Sequence, residues 1–190
     1  MAIDVGLANG EPFLLMAGVG WDAAIALGVS RRLMRALGPA AYFVQGMRRL
    51  PRLRATKLRW HSGSLTVDAP IALLVASNTP LYGGLVRFSP KSTATDGLLD
   101  IAALSPRRRG DGATIALQLL RGRLEGDRRV FGGRVEELTI ETAGVPYQLD
   151  GDPVGLTPLA LAIVGRAMNV RVPGGRLAGA LRAEPQDSDA

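Results

Sequence analysis

In the stretch YQLDGDPVG, residues 147 to 155, Asp150 and Asp152 stand on either side of Gly151, just after a run that reads as a buried strand. Two carboxylates at this spacing have two uses. They can bond nearby backbone amides and shape a turn, with glycine supplying a positive φ. They can also take a proton or help hold a metal ion. The rest of the composition narrows the chemistry. The chain has no cysteine, which excludes disulfides, thiolate nucleophiles and cysteine-bound zinc. Its single histidine, His61, lies in the strand-like run ATKLRWHSG and reads as an ordinary strand residue, so a site with several histidines is impossible. Acid-base work therefore falls to carboxylates.

Three more stretches join glycine or asparagine to polar groups near expected strand ends: AGVGWDA (17 to 23), SNTPLYGGL (77 to 85) and SPKSTATDGLLD (89 to 100). Each taken alone reads as a turn.

The elements that must position these residues are mostly strands. Residues 3 to 9 and 12 to 17 form an expected hairpin around Asn9 and Gly10, a dipeptide suited to a two-residue turn. From Asp22 to Leu50 the Ala- and Leu-rich spacing predicts two helices, divided at Gly38 and Pro39. Strands are expected at 53 to 61, 64 to 68 and 70 to 77, with a turn at Ser62 and Gly63 and a break at Pro70. Another is expected at 98 to 104, then a helix through TIALQLLRGR capped by Asp111. Four short strands follow, at 134 to 142, 145 to 150, 158 to 165 and 168 to 173. Close spacing with intervening Gly and Pro favours a β-sandwich over a parallel sheet, so the fold class is mainly β with a few helices. The domain is expected to run from 1 to 173, with a mostly disordered tail from 174 to 190.

A chain of 190 residues, 47% hydrophobic and 21% charged, has the balance of a folded domain. Its start, MAIDVGLANG, lacks the pattern of a signal peptide, and no apolar run reaches the ~20 residues of a membrane span. The expected location is cytoplasmic, with the inner face of the membrane as a peripheral alternative. The net charge of +6 is concentrated in RRLMR (31 to 35), RRLPRLR (48 to 54), PRRR (106 to 109) and RGRLEGDRR (121 to 129). Such clusters suit anionic lipid, phosphorylated ligands or nucleic acid, or are solvated surface arginines. Aromatic residues are only 5% of the chain, which disfavours single-stranded nucleic acid as a partner.

In order and spacing, the four stretches together resemble the C-terminal domain of the bacterial diacylglycerol kinase and sphingosine kinase-like lipid kinases, within the NAD kinase-like superfamily. IDVGLANGEPFLLMAGVGWDA is similar to the family's hairpin and Gly-x-Gly-Phe-Asp element, NTPLYGG to its asparagine and glycine run, PKSTATDGLLD to its Asp-Gly-x-Leu-Asp loop, and LDGDP to its Asp-Gly-Glu element. Trp21 replaces the usual Phe, Leu85 a third glycine, and Asp152 the usual Glu. The resemblance implies a β-sandwich-like domain in which Asp150 is the general base toward a lipid hydroxyl attacking the γ-phosphate of ATP, supported by Asp152. It implies Mg²⁺ held by Thr93, Asp96 and Leu98, the non-acidic residues acting through backbone oxygen. Asp22, Asn78, Gly83 and Gly84 would shape the cleft facing the nucleotide.

In that family ATP is held mainly by an N-terminal α/β domain, which the resemblance finds absent from this chain. GDGAT (110 to 114) imitates its phosphate motif, but it opens an expected helix late in the chain. The expected function is thus the C-terminal part of an ATP-dependent lipid kinase in phospholipid metabolism, inactive without a nucleotide-binding half; the chain either works with that half supplied by another chain or is a truncated product without activity. Self-association is a further expectation, since a domain interface would be exposed. The alternative is a non-catalytic basic β-domain that binds anionic lipid or a protein partner.

Overall fold

The computed structural model describes residues 1–28, 31–38, 40–49, 53–82, 86–87, 92–108, 111, 114 and 128–172. The chain opens with β1 (Ala2–Ala8) and β2 (Glu11–Phe13), paired across Asn9 and Gly10, both at positive φ (50° and 87°) as the two-residue turn requires. The strand expected over 12 to 17 is interrupted at Leu14 and Leu15, where the chain leaves one sheet and enters the other as β3 (Met16–Gly20). Three helices follow in place of the expected two: α1 (Trp21–Gly28), α2 (Arg31–Leu37) and α3 (Ala40–Arg49). The break at Gly38 (φ 55°) falls where the sequence puts it. Next come β4 (Thr56–Ser62), β5 (Leu65–Ile71), β6 (Leu73–Ser77), the short pair β7 (Leu81–Tyr82) and β8 (Val86–Arg87), and β9 (Leu99–Leu104). The chain closes with β10 (Val130–Val135), β11 (Glu137–Ile140), β12 (Pro146–Leu149), β13 (Asp152–Leu156) and β14 (Leu159–Asn169).

Two six-stranded antiparallel sheets form the body, in the orders β2-β1-β14-β11-β4-β5 and β10-β9-β6-β3-β12-β13. This is the β-sandwich that the strand spacing predicts. Period-two patterning builds the core between the sheets: Leu58 and Trp60 of β4, Leu138 and Ile140 of β11, and Leu159 and Leu161 of β14 all face Phe13, Leu74 and Leu99. Close approach explains Gly6, because a Cβ there would sit 2.2 Å from the Phe13 ring. A smaller cluster of Met16, Leu73, Val75 and Leu104, with Trp21 against it, covers the other face of the second sheet.

Several boundaries move relative to expectation. Pro70 lies inside β5 instead of ending a strand, which is tolerated because β5 is an edge. The run 134 to 142 divides at Glu136 into β10 and β11, which belong to opposite sheets. The two strands expected at 158 to 165 and 168 to 173 are one strand, β14, carrying Arg166 at a φ of 54°. His61 is a β4 residue, as expected, with Nδ1 3.2 Å from Glu141. Among the described residues, no helix is long and apolar enough to cross a membrane. Most of the helix expected after Asp111, and the tail from 174, lie outside the described residues.

Candidate functional site

Asp150 occupies the turn between β12 and β13 at a φ of 51°, a left-handed conformation that aspartate tolerates better than most residues. Its carboxylate crosses to the point where the chain changes sheets. Oδ2 accepts the N–H of Leu14 at 2.7 Å, and Oδ1 accepts those of Leu15 at 2.7 Å and Met16 at 2.9 Å. Its own N–H donates to the Met16 carbonyl at 2.9 Å. Leu14 and Leu15 lie between the strands as the chain changes sheets, and the carboxylate supplies an acceptor for their amides and for that of Met16 at the start of β3. Three of about four acceptor positions on the group are thereby used, and Oδ2 keeps one lone pair. Asp152 opens β13 with its side chain exposed, opposite Leu149.

Asn78 holds the same segment from the other side. It is fully buried, its Nδ2 donating to the carbonyls of Leu14 (3.0 Å) and Asp4 (2.9 Å) and its N–H to that of Leu15 (2.9 Å). Among the described residues its buried Oδ1 has no partner. The side chain therefore shapes the site from behind.

Asp4 is a buried acid next to the candidate site that sequence reasoning missed. Only 1% exposed, it accepts the N–H of Gly97 through Oδ2 and of Arg166 through Oδ1, both at 2.7 Å, and donates its own N–H to Ala94 at 2.7 Å. One hydrogen-bonded chain thus runs from Asp150 through Leu14 and Asn78 to Asp4 and the 92–98 loop. The available signal was phase: Asp4 shares the buried side of β1 with Gly6 and Ala8. An acid on that side needs buried donors.

In the 92–98 loop, Thr93 is buried and its Oγ1 lies 3.1 Å from that of Thr95. Asp96 Oδ1 accepts the N–H of Leu98 at 3.1 Å, and Oδ2 pairs with Arg134. Burial pushes the Asp96 carboxyl above its ordinary value, and the Asp100 carboxylate adds to this; the Leu98 amide and the Arg134 guanidinium oppose it. One carboxylate and neighbouring backbone oxygens are the hard donors that Mg²⁺ takes, so donor type fits the ion. Among the described residues, no group of three or more His, Asp or Glu side chains is arranged around a metal position.

Asp22 is the second residue of α1, and its side chain lies outside the described residues, as do Gly83 and Gly84. The helix that Asp111 is expected to cap lies mostly outside the described residues, and the bonds of Asp111 that are described run in the other direction. Asp111 accepts the N–H of Arg107 (2.7 Å) and Arg108 (2.8 Å) and pairs with Arg129 at 3.1 Å, fastening the start of β10 to the end of β9. The Arg108 and Arg107 amides, ahead of Arg129, hold its carboxyl below the usual range. Of GDGAT, Gly110, Gly112 and Ala113 lie outside the described residues.

Two antiparallel sheets, closed at one end by a carboxylate turn that fixes the strand crossing, define the class as a β-sandwich with a polar, hydrogen-bonded end. The chain belongs to the family described as the YegS C-terminal NAD kinase beta sandwich-like domain, which it matches over residues 16–172. Over 172 residues it is 27% identical to a diacylglycerol kinase of Bacillus subtilis (strain 168), covering 90% of this chain and 57% of that protein. It is 30% identical over 175 residues to a probable YegS-like lipid kinase of Pseudomonas aeruginosa (strain UCBPP-PA14), covering 91% and 57%. A crystal structure of a putative diacylglycerol kinase from Bacillus anthracis str. Sterne shares the fold at a TM-score of 0.70 and 18% identity, over 87% of this chain and 54% of that one. The chain therefore spans little more than half the length of these curated relatives.

Proposed function

We propose that this chain is the acceptor-side, base-carrying part of an ATP-dependent lipid kinase, working with a nucleotide-binding half. The observation that carries the reading is the Asp150 carboxylate, fixed at the exposed end of the second sheet by three backbone amides and linked through Asn78 and Asp4 to the 92–98 loop. The names of the relatives, diacylglycerol kinase and lipid kinase, support the reaction class.

In this reading a lipid hydroxyl donates its hydrogen bond to the free lone pair of Asp150 Oδ2. As the hydroxyl oxygen attacks the γ-phosphorus of ATP, its proton passes to that carboxylate, the bond from the γ-phosphorus to the bridging oxygen breaks, and ADP leaves. The amides of Leu14, Leu15 and Met16 hold the base in one orientation throughout. Asp152, on the next strand, would assist the base by helping to hold a metal ion. Thr93, Asp96 and Leu98 would hold Mg²⁺, whose positive charge would stabilise the loop. Asp22, Gly83 and Gly84 would face the nucleotide, and Asn78 positions the strand crossing at Leu14. A lipid acceptor, either diacylglycerol or a sphingoid-like alcohol, puts the working protein at a membrane surface.

Transfer of the labelled γ-phosphate from ATP to mixed bacterial lipids tests the reading. We expect transfer when this chain is mixed with a matching nucleotide-binding half, none with the chain alone, and none in the mixture with Asp150→Asn. Full transfer by the Asp150→Asn mixture would remove Asp150 as the base. No transfer by the wild-type mixture, with vesicle binding retained, would favour a non-catalytic lipid-binding domain.

A further inference from the structure

The Arg134 guanidinium spans two carboxylates. It pairs with Asp96 Oδ2, and its Nε lies 3.5 Å from Asp100 Oδ1. Register explains the arrangement: Arg134 stands directly opposite Asp100 in the β9–β10 ladder, and Asp96 lies in the loop that feeds β9. The acids are well covered, with 18% and 9% of their side chains exposed, while the Arg134 side chain is 37% exposed on an edge strand. Two inner acids are thus closed from outside by one base that can swing into solvent.

We propose that Arg134 is an internal counter-cation that competes with a divalent cation for Asp96. The proposal rests on the reading in which Thr93, Asp96 and Leu98 hold Mg²⁺. Oδ1 of Asp96 is taken by the Leu98 amide, which is part of the backbone, and Oδ2 by Arg134, which is not. Each oxygen keeps a further lone pair, but an ion bound there would sit beside the Arg134 guanidinium, and like-charge repulsion favours release of that side chain. A docked Arg134 neutralises the loop when the ion is scarce; an undocked one leaves Asp96 free to ligate. The loop's Mg²⁺ affinity is therefore set by a side chain of the opposite strand.

Calorimetric titration of MgCl₂ into the folded chain tests this without any activity. Arg134→Gln should bind Mg²⁺ at least about tenfold more tightly than wild type, since a unit positive charge beside the ion is removed. Adding Asp96→Asn to Arg134→Gln should abolish that gain. Equal affinities for wild type and Arg134→Gln, both lost with Asp96→Asn, would overturn the competition and leave the Mg²⁺ loop standing. Absence of Asp96-dependent binding in every variant would overturn both. A second measurement uses wild type alone: the Arg134 Nε–H resonance should move on saturation with MgCl₂ and stay put in NaCl of equal ionic strength. A resonance indifferent to MgCl₂ would also overturn the proposal.

Discussion

Asp150→Asn should destabilise the folded chain, apart from any effect on catalysis. The carboxylate serves three amides with two oxygens, whereas an asparagine offers one oxygen and an amino group. With its oxygen kept on Leu15 and Met16, the N–H of Leu14 loses its 2.7 Å acceptor and faces a donor. A hydrogen bond to a charged group contributes about 1.5–3 kcal/mol, and the two that survive fall to neutral strength. Exposure of the turn lets water replace part of the loss, so we expect about 2 kcal/mol. For a chain of this size that corresponds to a fall in Tm of roughly 4–8 °C. Urea unfolding at pH 7, followed by far-ultraviolet circular dichroism, measures it. Asp152→Asn, at an exposed strand start, is the control and should stay within about 0.5 kcal/mol of wild type. If Asp150→Asn were equally neutral, the carboxylate would not be holding the crossing, and the argument from its geometry would fail.

Asp4→Asn leaves one acceptor for the amides of Gly97 and Arg166; a loss of about 1–3 kcal/mol and faster hydrogen exchange at Gly97 are expected, and unchanged exchange would refute the hub. Gly6→Ala would drive a methyl into the buried Phe13 ring, at a cost of about 1–3 kcal/mol in urea unfolding. The Asp111 carboxyl, held low by the Arg108 and Arg107 amides, contributes stability that is present above its unfolded value of about 3.9 and is lost as pH falls through its lower folded value. Wild type and Asp111→Asn should therefore differ in urea midpoint at pH 6 and converge progressively in acid; a constant gap would contradict this.

Local chemistry made part of the fold legible. Asn9 and Gly10 announce their turn because both need positive φ, and Leu58 and Trp60 alternate with polar neighbours on a half-buried strand. Changes of sheet are harder to read. Leu14 and Leu15 are apolar and continue the strand pattern, so nothing local marks the crossing; it is fixed by Asp150, more than 130 residues away. Strand β13 was missed because Asp152–Leu156 is exposed, carries Pro153 and Gly155, and shows no alternation. The candidate site divides in the same way. Asp150 and Asp96 sit in glycine-containing turns with a visible signature, whereas Asp4 and Arg134 have partners 93 and 38 residues distant and acquire their roles only through register.

The chain passes from one sheet to the other within very few residues at Leu14 and Leu15, at Ala72, at Glu136, at 141–145 and at 157–158. Such repeated lacing means that neither sheet is made of a continuous stretch of sequence, and neither can peel away without dragging its opposite along. Ala72 illustrates the stitch: its N–H goes to Leu104 and its carbonyl receives the N–H of Trp21. The sandwich should accordingly melt as a single cooperative body. The polar end, tied into one of the stitches by Asp150, then has the rigidity of the whole domain behind it and not that of a loop.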